Sequence, residues 1–444
     1  MTFDKGVAEF TLKAGESKIA TGLPSGVSYK VTETAVDGFT TTPEGGVAEG
    51  TITKGEKVTA AFTNTREVGD LELSKELVSD LAADKDQEFT FTVTLDDTTI
   101  SKRYTATRTD AEGKATEETV EFSDGIATVT LKGGESLLIK GLPTTVGYTV
   151  KETAAAGFTT DPAEAVEGTI STTKSTVVIK NTREVGDLEL KKTVESAWAA
   201  DKKVDFTFTI TLDDTSITKS YKGTKTDAKG VQSEVTVAFS KGKATVTLKH
   251  DESILIKGLP TTIVYTVEET PVKHFTTDPE KAIEGTISTT KSTAAFKNIR
   301  KVGDLEIIKS LSRWENSEEA TFMFLVEGEL DGELVYSNSA TITVSGATSS
   351  SAVLHNIPED TVVTVTEVNS GAHYTLTSED PQTTTIIADK TVGVSFTNDY
   401  IPYDNGGHGL TNVFEPNSTN DGWVHDGDTE RTSTPGDKTL PDAS

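Results

Sequence analysis

The sequence predicts an all-β protein built from tandem β-sandwich domains, and three observations carry this prediction. Apolar and polar residues alternate with a period of two in runs such as FTFTVTL (89–95) and FTFTITL (206–212), as is typical of strands with one buried face. Gly, Pro, Asp and Asn turns interrupt these runs at short intervals. Long stretches of the chain repeat, while helical periodicity is nearly absent.

Internal repetition divides the chain into four units. The segment 67–183 returns at 184–300 almost block for block, with a period of 117 residues from Lys75 to Lys192 and again from Lys192 to Lys309. Residues 301–400 keep the order of strands in a shorter, diverged form. Residues 1–66 match only the second half of a repeat, so we expect a fragment or a product that lacks its natural start. We name these segments unit 1 (1–66), unit 2 (67–183), unit 3 (184–300) and unit 4 (301–400), and expect each to be one domain, with unit 1 partial.

Each full unit contains roughly nine short predicted strands. The segments VSDLAADKDQ (78–87) and SAWAADKK (196–203) favour a helical turn after the first strand. Only REVG or RKVG separates one unit from the next, and linkers this short favour a semi-rigid row of domains. The tail, 401–444, is rich in Asn, Asp, Gly, Ser, Thr and Pro, which predicts a disordered spacer.

Composition excludes several classes of function. The chain has 444 residues, a formal net charge of −28 and no cysteine. Such acidity argues against nucleic acid or an anionic membrane surface as a partner, because phosphate binding needs clustered Lys and Arg. No apolar run approaches the roughly 20 residues that span a bilayer, and disulfides are excluded. The six histidines are scattered without metal-ligand spacing, so we expect no metal and no cofactor.

A lysine occupies a core-facing position in the first strand of each full unit. In DLELSKEL (70–77), Leu71 and Leu73 define the buried face, and period two places Lys75 on that same face. The stretches DLELKKTV and DLEIIKSL repeat the pattern with Lys192 and Lys309. The strand therefore directs an amine toward an apolar core.

Two more polar residues share this parity. In a late strand Glu152 follows Tyr148 on the buried face, and in the last strand Asn181 follows Ile179. The predicted sets are Lys75, Glu152 and Asn181; Lys192, Glu269 and Asn298; and Lys309, Glu367 and Asn398. Parity favours Lys192 over Lys191, Glu269 over Glu268, and Asn398 over Asp399. Since an unpaired buried charge costs several kcal/mol or more, we expect the three groups of each set to meet.

Such a meeting has a chemical consequence. Desolvation lowers the pKa of lysine and raises that of glutamate, so the pair can exist as neutral amine and neutral acid. A neutral amine is a nucleophile, the Asn carboxamide is its electrophile, and a protonated Glu can assist by hydrogen bonding and proton transfer. The predicted product is an amide that links the two side chains. The alternatives are a snorkelling lysine, a simple Glu–Lys ion pair and a turn-forming Asn. All three polar residues recur in the diverged unit 4, and this recurrence favours the crosslink over the alternatives.

Unit 1 supplies Glu33 and Asn64 at the matching positions but no lysine strand. We therefore expect this half-site to be unbonded, and residues 1–66 to be less stable than the other units.

The arrangement of a first-strand lysine, a Glu in a YTVKET-like strand and an Asn in a final FTNT-like strand resembles the intramolecular isopeptide domains of Gram-positive surface proteins. Those relatives are the collagen-adhesin B-type repeats and the streptococcal backbone-pilin domains, and the similarity covers residues 1–400. It implies immunoglobulin-like sandwiches, the bonds Lys75–Asn181, Lys192–Asn298 and Lys309–Asn398, and catalytic Glu152, Glu269 and Glu367. It also implies an extracellular stalk, pilus or adhesin at the cell wall. Peptidoglycan, attached by sortase in a full-length form, and an unknown host or environmental ligand are the implied partners.

Two further functions compete with the structural stalk. A glycan- or protein-binding sandwich without crosslinks would need exposed aromatic residues, and the candidates Trp198 and Trp314 fit packing better. A turnover enzyme would need a nucleophile–base set, and the sequence offers none outside the triads. The triads themselves would react only once. The chain ends in KTLPDAS, where Leu440-Pro441 begins like a sorting motif but TG does not follow, and a pilin-type polymerisation lysine motif is not evident.

Overall fold

The computed structural model describes residues 1–312, 319–345, 347–370, 373–401, 414–416 and 423–425. Trp314, the Leu440-Pro441 pair and most of the 401–444 tail predicted to be disordered lie outside these residues. Within the tail, two three-residue strands pair antiparallel.

The strands of units 1 and 2 follow the period-two pattern. Unit 1 has β1 (Ser28–Thr32), β2 (Phe39–Thr42), β3 (Val47–Thr51) and β4 (Thr63–Arg66), with a 3₁₀ turn at Glu44–Gly46. Unit 2 begins with β5 (Val68–Val78), a 3₁₀ turn at Ala83–Asp86, β6 (Phe89–Leu95), β7 (Lys102–Thr109) and β8 (Ala115–Phe122). It continues with β9 (Ile126–Leu131), β10 (Ser136–Pro143), β11 (Gly147–Glu152), β12 (Phe158–Asp161), β13 (Val166–Thr169) and β14 (Ser175–Arg183).

Unit 3 repeats this order of elements. Its strands are β15 (Val185–Glu195), β16 (Phe206–Leu212), β17 (Ser220–Thr226), β18 (Gln232–Ala238), β19 (Lys243–Leu248), β20 (Ser253–Pro260), β21 (Val264–Glu269), β22 (Phe275–Asp278), β23 (Ile283–Thr286) and β24 (Ser292–Arg300). A 3₁₀ turn at Asp201–Lys203 follows β15. Both 3₁₀ turns lie in the segments where the sequence favours a helical turn.

Unit 4 is shorter, and two strands follow it in the tail. Its strands are β25 (Val302–Leu311), β26 (Ala320–Leu330), β27 (Glu333–Val344), β28 (Ser349–Pro358), β29 (Val362–Asn369), β30 (Tyr374–Leu376), β31 (Gln382–Thr385) and β32 (Thr391–Tyr400). The tail strands are β33 (Phe414–Pro416) and β34 (Trp423–His425).

Units 2, 3 and 4 are each a sandwich of two sheets, which confirms the all-β tandem sandwich prediction. Unit 2 combines a six-stranded sheet, β12-β14-β5-β10-β7-β8, with a four-stranded sheet, β13-β11-β6-β9. Unit 3 has the same two sheets, and unit 4 has two sheets of four strands. Units 2 and 3 thus each contain ten strands, where about nine were expected. The short segments before and after Pro162, and before and after Pro279, are both strands, and the two strands of each pair belong to different sheets.

The first and last strands of each sandwich are neighbours and run parallel. β5 pairs with β14 with Lys75 opposite Ile179 and Leu77 opposite Asn181. β15 and β24 pair in the same way, as do β25 and β32. This pairing places the first-strand lysine beside the last-strand asparagine on the inner face of one sheet, because residues two apart on a strand point to the same face.

Each sandwich encloses its own apolar core. In unit 2 the leucines of the first strand and the phenylalanines of β6 are almost fully buried; Leu71, Leu73, Phe89 and Phe91 are at most 1% exposed. Equivalent clusters fill units 3 and 4. Leu81, in the turn after β5, packs into the core cluster of unit 3, so adjacent units contact each other directly.

Candidate functional site

Each full unit holds one lysine, one glutamate and one asparagine in contact inside its core. Lysine and asparagine come from the first and last strands of one sheet, and the glutamate comes from a strand of the facing sheet, where Glu152 is opposite Phe91. The parity of all three strands turns these side chains inward. The positions that the sequence predicts are therefore the positions that meet.

In unit 2 the glutamate contacts both partners. Lys75 Nζ donates to Glu152 Oε2 at 2.6 Å. Asn181 Nδ2 donates to Glu152 Oε1 at 2.5 Å. Asn181 Oδ1 is buried without a hydrogen-bond partner, so one acceptor of the carboxamide remains free for a donor.

In unit 3 the three groups close a ring of hydrogen bonds. Lys192 Nζ donates to Glu269 Oε2 at 2.9 Å and to Asn298 Oδ1 at 2.5 Å. Asn298 Nδ2 donates to Glu269 Oε1 at 2.6 Å. The amine nitrogen is thus in direct contact with the carboxamide.

Unit 4 has the same ring despite its diverged sequence. Lys309 Nζ donates to Glu367 Oε2 at 2.5 Å and also to Asn398 Oδ1. Asn398 Nδ2 donates to Glu367 Oε1 at 2.6 Å. The orientation of the three groups is therefore common to units 3 and 4.

Burial controls the charge of these groups. The lysines are at most 1% exposed, the glutamates at most 9%, and the asparagines are fully buried. Burial lowers the pKa of the Lys75, Lys192 and Lys309 amines, although each paired glutamate opposes that shift. Burial likewise raises the pKa of Glu367. Both directions favour the neutral amine and the neutral acid.

Aromatic rings line the lysine, a feature that the sequence analysis did not assign. Lys75 Nζ lies 4.4 Å from the centre of the Phe89 ring and 5.7 Å from that of Phe91. Equivalent pairs are Phe206 and Phe208 around Lys192, and Phe322 and Phe324 around Lys309. The FTF and FMF stretches carry the signal, since two phenylalanines of equal parity must share the buried face. These rings keep water from the amine.

A partly buried ion pair beside the triad was also not predicted from the sequence. Arg183, two residues after Asn181, donates through Nε to Asp84 Oδ2 at 2.8 Å and through Nη2 to Oδ1. Its guanidinium lies 4.1 Å from the Phe158 ring centre. The turn after the first strand is thereby fastened to the end of the last strand. Arg300 and Asp201 pair similarly in unit 3.

The half-site of unit 1 is partly assembled. Asn64 Nδ2 donates to Glu33 Oε1 at 2.6 Å, and Thr41 Oγ1 donates to Asn64 Oδ1 at 2.7 Å. Glu33 Oε2 has no hydrogen-bond partner. Glutamate and asparagine therefore meet here as they do in the full units.

Other kinds of site receive little support. Among the described residues no group of three or more His, Cys, Asp or Glu is arranged to hold a metal ion. In that same part of the chain, no helix has the length and apolar character needed to cross a membrane. Trp198 Nε1 donates to Val335 O of unit 4 at 2.9 Å, so this indole contacts the neighbouring unit.

Comparison with known proteins places most of the chain in described families. The model of the family described as Domain of unknown function (DUF7601) matches residues 2–66, 69–183 and 186–300. The model described as Domain of unknown function (DUF5979) matches residues 305–401.

A curated relative is the Pilus tip adhesin Cpa of Streptococcus pyogenes, 43% identical over 72 residues. The match covers 15% of this chain and 11% of that protein, so the chain spans a small part of the relative. This similarity confirms the expected resemblance to streptococcal pilus proteins.

Two solved structures are also similar. The Bacillus anthracis TIE protein has a TM-score of 0.36 and 17% identity, with 80% of this chain and 54% of that chain covered. The major pilin protein (T-13) from Streptococcus pyogenes has a TM-score of 0.30 and 18% identity, with 52% and 97% covered.

Proposed function

We propose that this chain, which belongs to the DUF7601 family, is the structural stalk of a bacterial cell-surface adhesin or pilus-like protein, stabilised by self-formed Lys–Asn isopeptide bonds. The single observation that carries the proposal is the buried contact of lysine, glutamate and asparagine in three units, of which unit 4 has diverged in most other positions. Chance burial of three polar groups would be costly each time.

The chemistry of bond formation follows from the contacts. The neutral Lys192 Nζ attacks Cγ of Asn298, a new C–N bond forms, and the former carboxamide C–N bond breaks. A proton passes from the amine through the carboxyl of Glu269 to the departing nitrogen, which leaves as ammonia. The same roles fall to Glu152 and Glu367 in units 2 and 4. The fold holds the reactants together, which can supply on the order of 7–11 kcal/mol of the barrier. Each triad reacts once, so the protein is not a turnover enzyme.

The bonds would carry tension past most of each domain. The bonded residues are 106 apart in unit 3 and 89 apart in unit 4, and Asn181 precedes Lys192 by 11 residues. Force would therefore pass from one bond to the next through short segments only. With no cysteine in the chain, this reinforcement needs no oxidising compartment.

Location and partners are part of the same proposal. The similarity to a pilus tip adhesin supports an extracellular position at the surface of a Gram-positive bacterium, with peptidoglycan attachment by sortase and a host or environmental ligand as partners. We propose one domain for each of units 1 to 4 within the boundaries given above. The competing function, a ligand-binding module, would need exposed aromatic residues. Trp198 does not support it, because its indole donates a hydrogen bond to unit 4.

Intact-mass spectrometry of the folded protein tests the proposal. The expected mass is lower than that of the unmodified sequence by three ammonia molecules. Lys75→Ala, Lys192→Ala and Lys309→Ala should each restore one ammonia, after correction for the substitution. Lys191→Ala is the matched control, because its side chain lies on the exposed face of the same strand and should leave all three losses in place. An unmodified mass in well-folded protein would refute the crosslinks.

A further inference from the structure

The chain has three contacts between adjacent units, and one of them differs in sequence from the other two. In the contact between units 1 and 2 (joint 1/2), Arg66 Nη2 donates to Thr144 O, and Gly38 adopts a φ of +77° beside it. In the contact between units 2 and 3 (joint 2/3), Arg183 Nη1 donates to Thr261 O at 3.4 Å, beside Gly157 with a φ of +80°.

Glycine is required there for two reasons. The backbone is left-handed, which glycine adopts without strain. A Cβ at Gly38 would also lie 3.0 Å from Arg66 Nη1 and 3.1 Å from Thr144 Oγ1, tighter than ordinary contacts. Both joints therefore exclude a side chain at this position and use a permanently charged guanidinium instead.

The contact between units 3 and 4 (joint 3/4) replaces the glycine and both threonines of this arrangement. His274, with a φ of +68°, stands where the glycines stand. Glu359 and Asp360 stand where the other joints have two threonines, as in the aligned segments GLPTT and NIPED. The equivalent arginine, Arg300, is retained and donates to Asp201 within its own unit, as Arg183 does to Asp84.

The imidazole of His274 is enclosed by acidic groups of the next unit. Its side chain is 10% exposed, and Nδ1 lies 3.6 Å from Glu359 Oε2 and 3.7 Å from Asp360 Oδ2. Nδ1 has no hydrogen-bond partner. A histidine with left-handed backbone and a buried nitrogen without a hydrogen bond costs free energy. A proton on Nδ1 would reduce this cost, because it would let the nitrogen donate to a neighbouring carboxylate.

We propose that His274 is a proton-binding site that tightens joint 3/4 when the surroundings become acidic. Protonation makes Nδ1 a donor and gives the imidazole a charge complementary to both carboxylates. Loss of the proton at higher pH removes these ion pairs. Joints 1/2 and 2/3 do not respond, because arginine keeps its charge throughout this range.

Other charged groups around the imidazole set the background of the joint. Lys273 Nζ lies 3.0 Å from Asp360 Oδ2, and Lys301 N donates to His274 O at 2.9 Å. Asp360 is therefore already engaged by a lysine, whereas Glu359 has no lysine or arginine partner within 4.0 Å among the described residues. The bond from Trp198 to Val335 also joins these units without a titrating group. The proton therefore adjusts a joint that already exists.

Distance measurements on spin-labelled protein test the proposal. Because the chain has no cysteine, labels at exposed positions introduced by Thr236→Cys and Ser337→Cys report joint 3/4 alone. The pair Thr119→Cys and Thr236→Cys reports joint 2/3 as an internal control. Pulsed dipolar spectra are recorded at about pH 5.5 and about pH 8 in the presence of EDTA, which excludes a metal-bridged joint.

Acidification should raise the ratio of the narrow, docked distance population to the broad one by about fivefold across joint 3/4, as expected for one partly screened ion-pair site. The 2/3 pair should not change. His274→Asn, which tolerates left-handed backbone, should abolish the response, and so should Glu359→Gln combined with Asp360→Asn. A wild-type distribution that is the same at both pH values, or a response that persists in His274→Asn, would overturn the proposal. Neither result depends on whether the isopeptide bonds form.

Discussion

Replacing Glu269 by glutamine is the sharpest test of the chemistry in unit 3. Glutamine keeps the size of the side chain and a carbonyl oxygen for Asn298 Nδ2 or Lys192 Nζ, but it cannot shuttle a proton. We expect Lys192 and Asn298 to remain separate, so the intact mass should show two ammonia losses instead of three.

The stability change can be estimated from the loop that the bond closes. Lys192 and Asn298 are 106 residues apart, and closing a loop near 100 residues stabilises by about 4.7 kcal/mol through the entropy of the unfolded chain. For a unit of this size, each kcal/mol shifts the melting temperature by roughly 3–6 °C, so the unit 3 transition should fall by about 14–28 °C.

Calorimetry and peptide mapping of the variant measure both effects. Glu268→Gln is the matched control, because Glu268 is the exposed neighbour on β21 and should change neither mass nor melting. Glu269→Gln loses the bond and also leaves Lys192 buried without its charge partner. Lys192→Ala loses the bond but leaves no buried lysine, so comparing the two variants separates the cost of the unpaired lysine from the loss of the bond. Three ammonia losses in Glu269→Gln would refute the assigned role of the glutamate.

Three further predictions follow from the site and its surroundings. Asn298→Ala cannot form the bond, and because burial lowers the pKa of Lys192 in the folded state, the unfolded chain binds more protons. The unit 3 melting temperature of this variant should therefore rise as the pH is raised toward 10.5, the ordinary lysine value, and a fall would show that the amine is not buried as described. Asp84→Ala removes the carboxylate that pairs with the partly buried Arg183 and should destabilise unit 2 by about 1.5–3 kcal/mol in denaturant titration, whereas exposed Asp86→Ala should have little effect; equal effects would show that the pair contributes nothing. Asn64→Ala in unit 1 should leave three ammonia losses in the intact mass, and a change in their number would mean that the half-site is bonded.

The triads were predictable from sequence because strand parity is a strict geometric rule. A residue two positions from Leu73 must point the same way, so Lys75 had to be buried, and the same reasoning selected Lys192 over its neighbour Lys191. The structure places all nine predicted residues of the full units in contact sets of three. Which sheet each strand joins was not needed for this prediction.

The neighbouring features depend on contacts that parity does not encode. The pairing of Asp84 with Arg183 depends on how a 3₁₀ turn folds over the end of β14, and no periodic pattern reports that. The joints were missed because their residues belong to different units and meet only after both have folded. The exchange of Gly157 for His274 is visible in the aligned repeats, but its meaning depends on the carboxylates that the next unit presents.

The parallel pairing of first and last strands has a mechanical consequence of its own. A pull on the two ends of unit 2 draws β5 and β14 in opposite directions along their common axis. Their ladder is then loaded in shear, with many hydrogen bonds strained together, instead of being unzipped one at a time. Even before any covalent bond forms, or in a unit where it fails to form, this geometry makes the sandwich a stiff element that yields only when the whole ladder gives way.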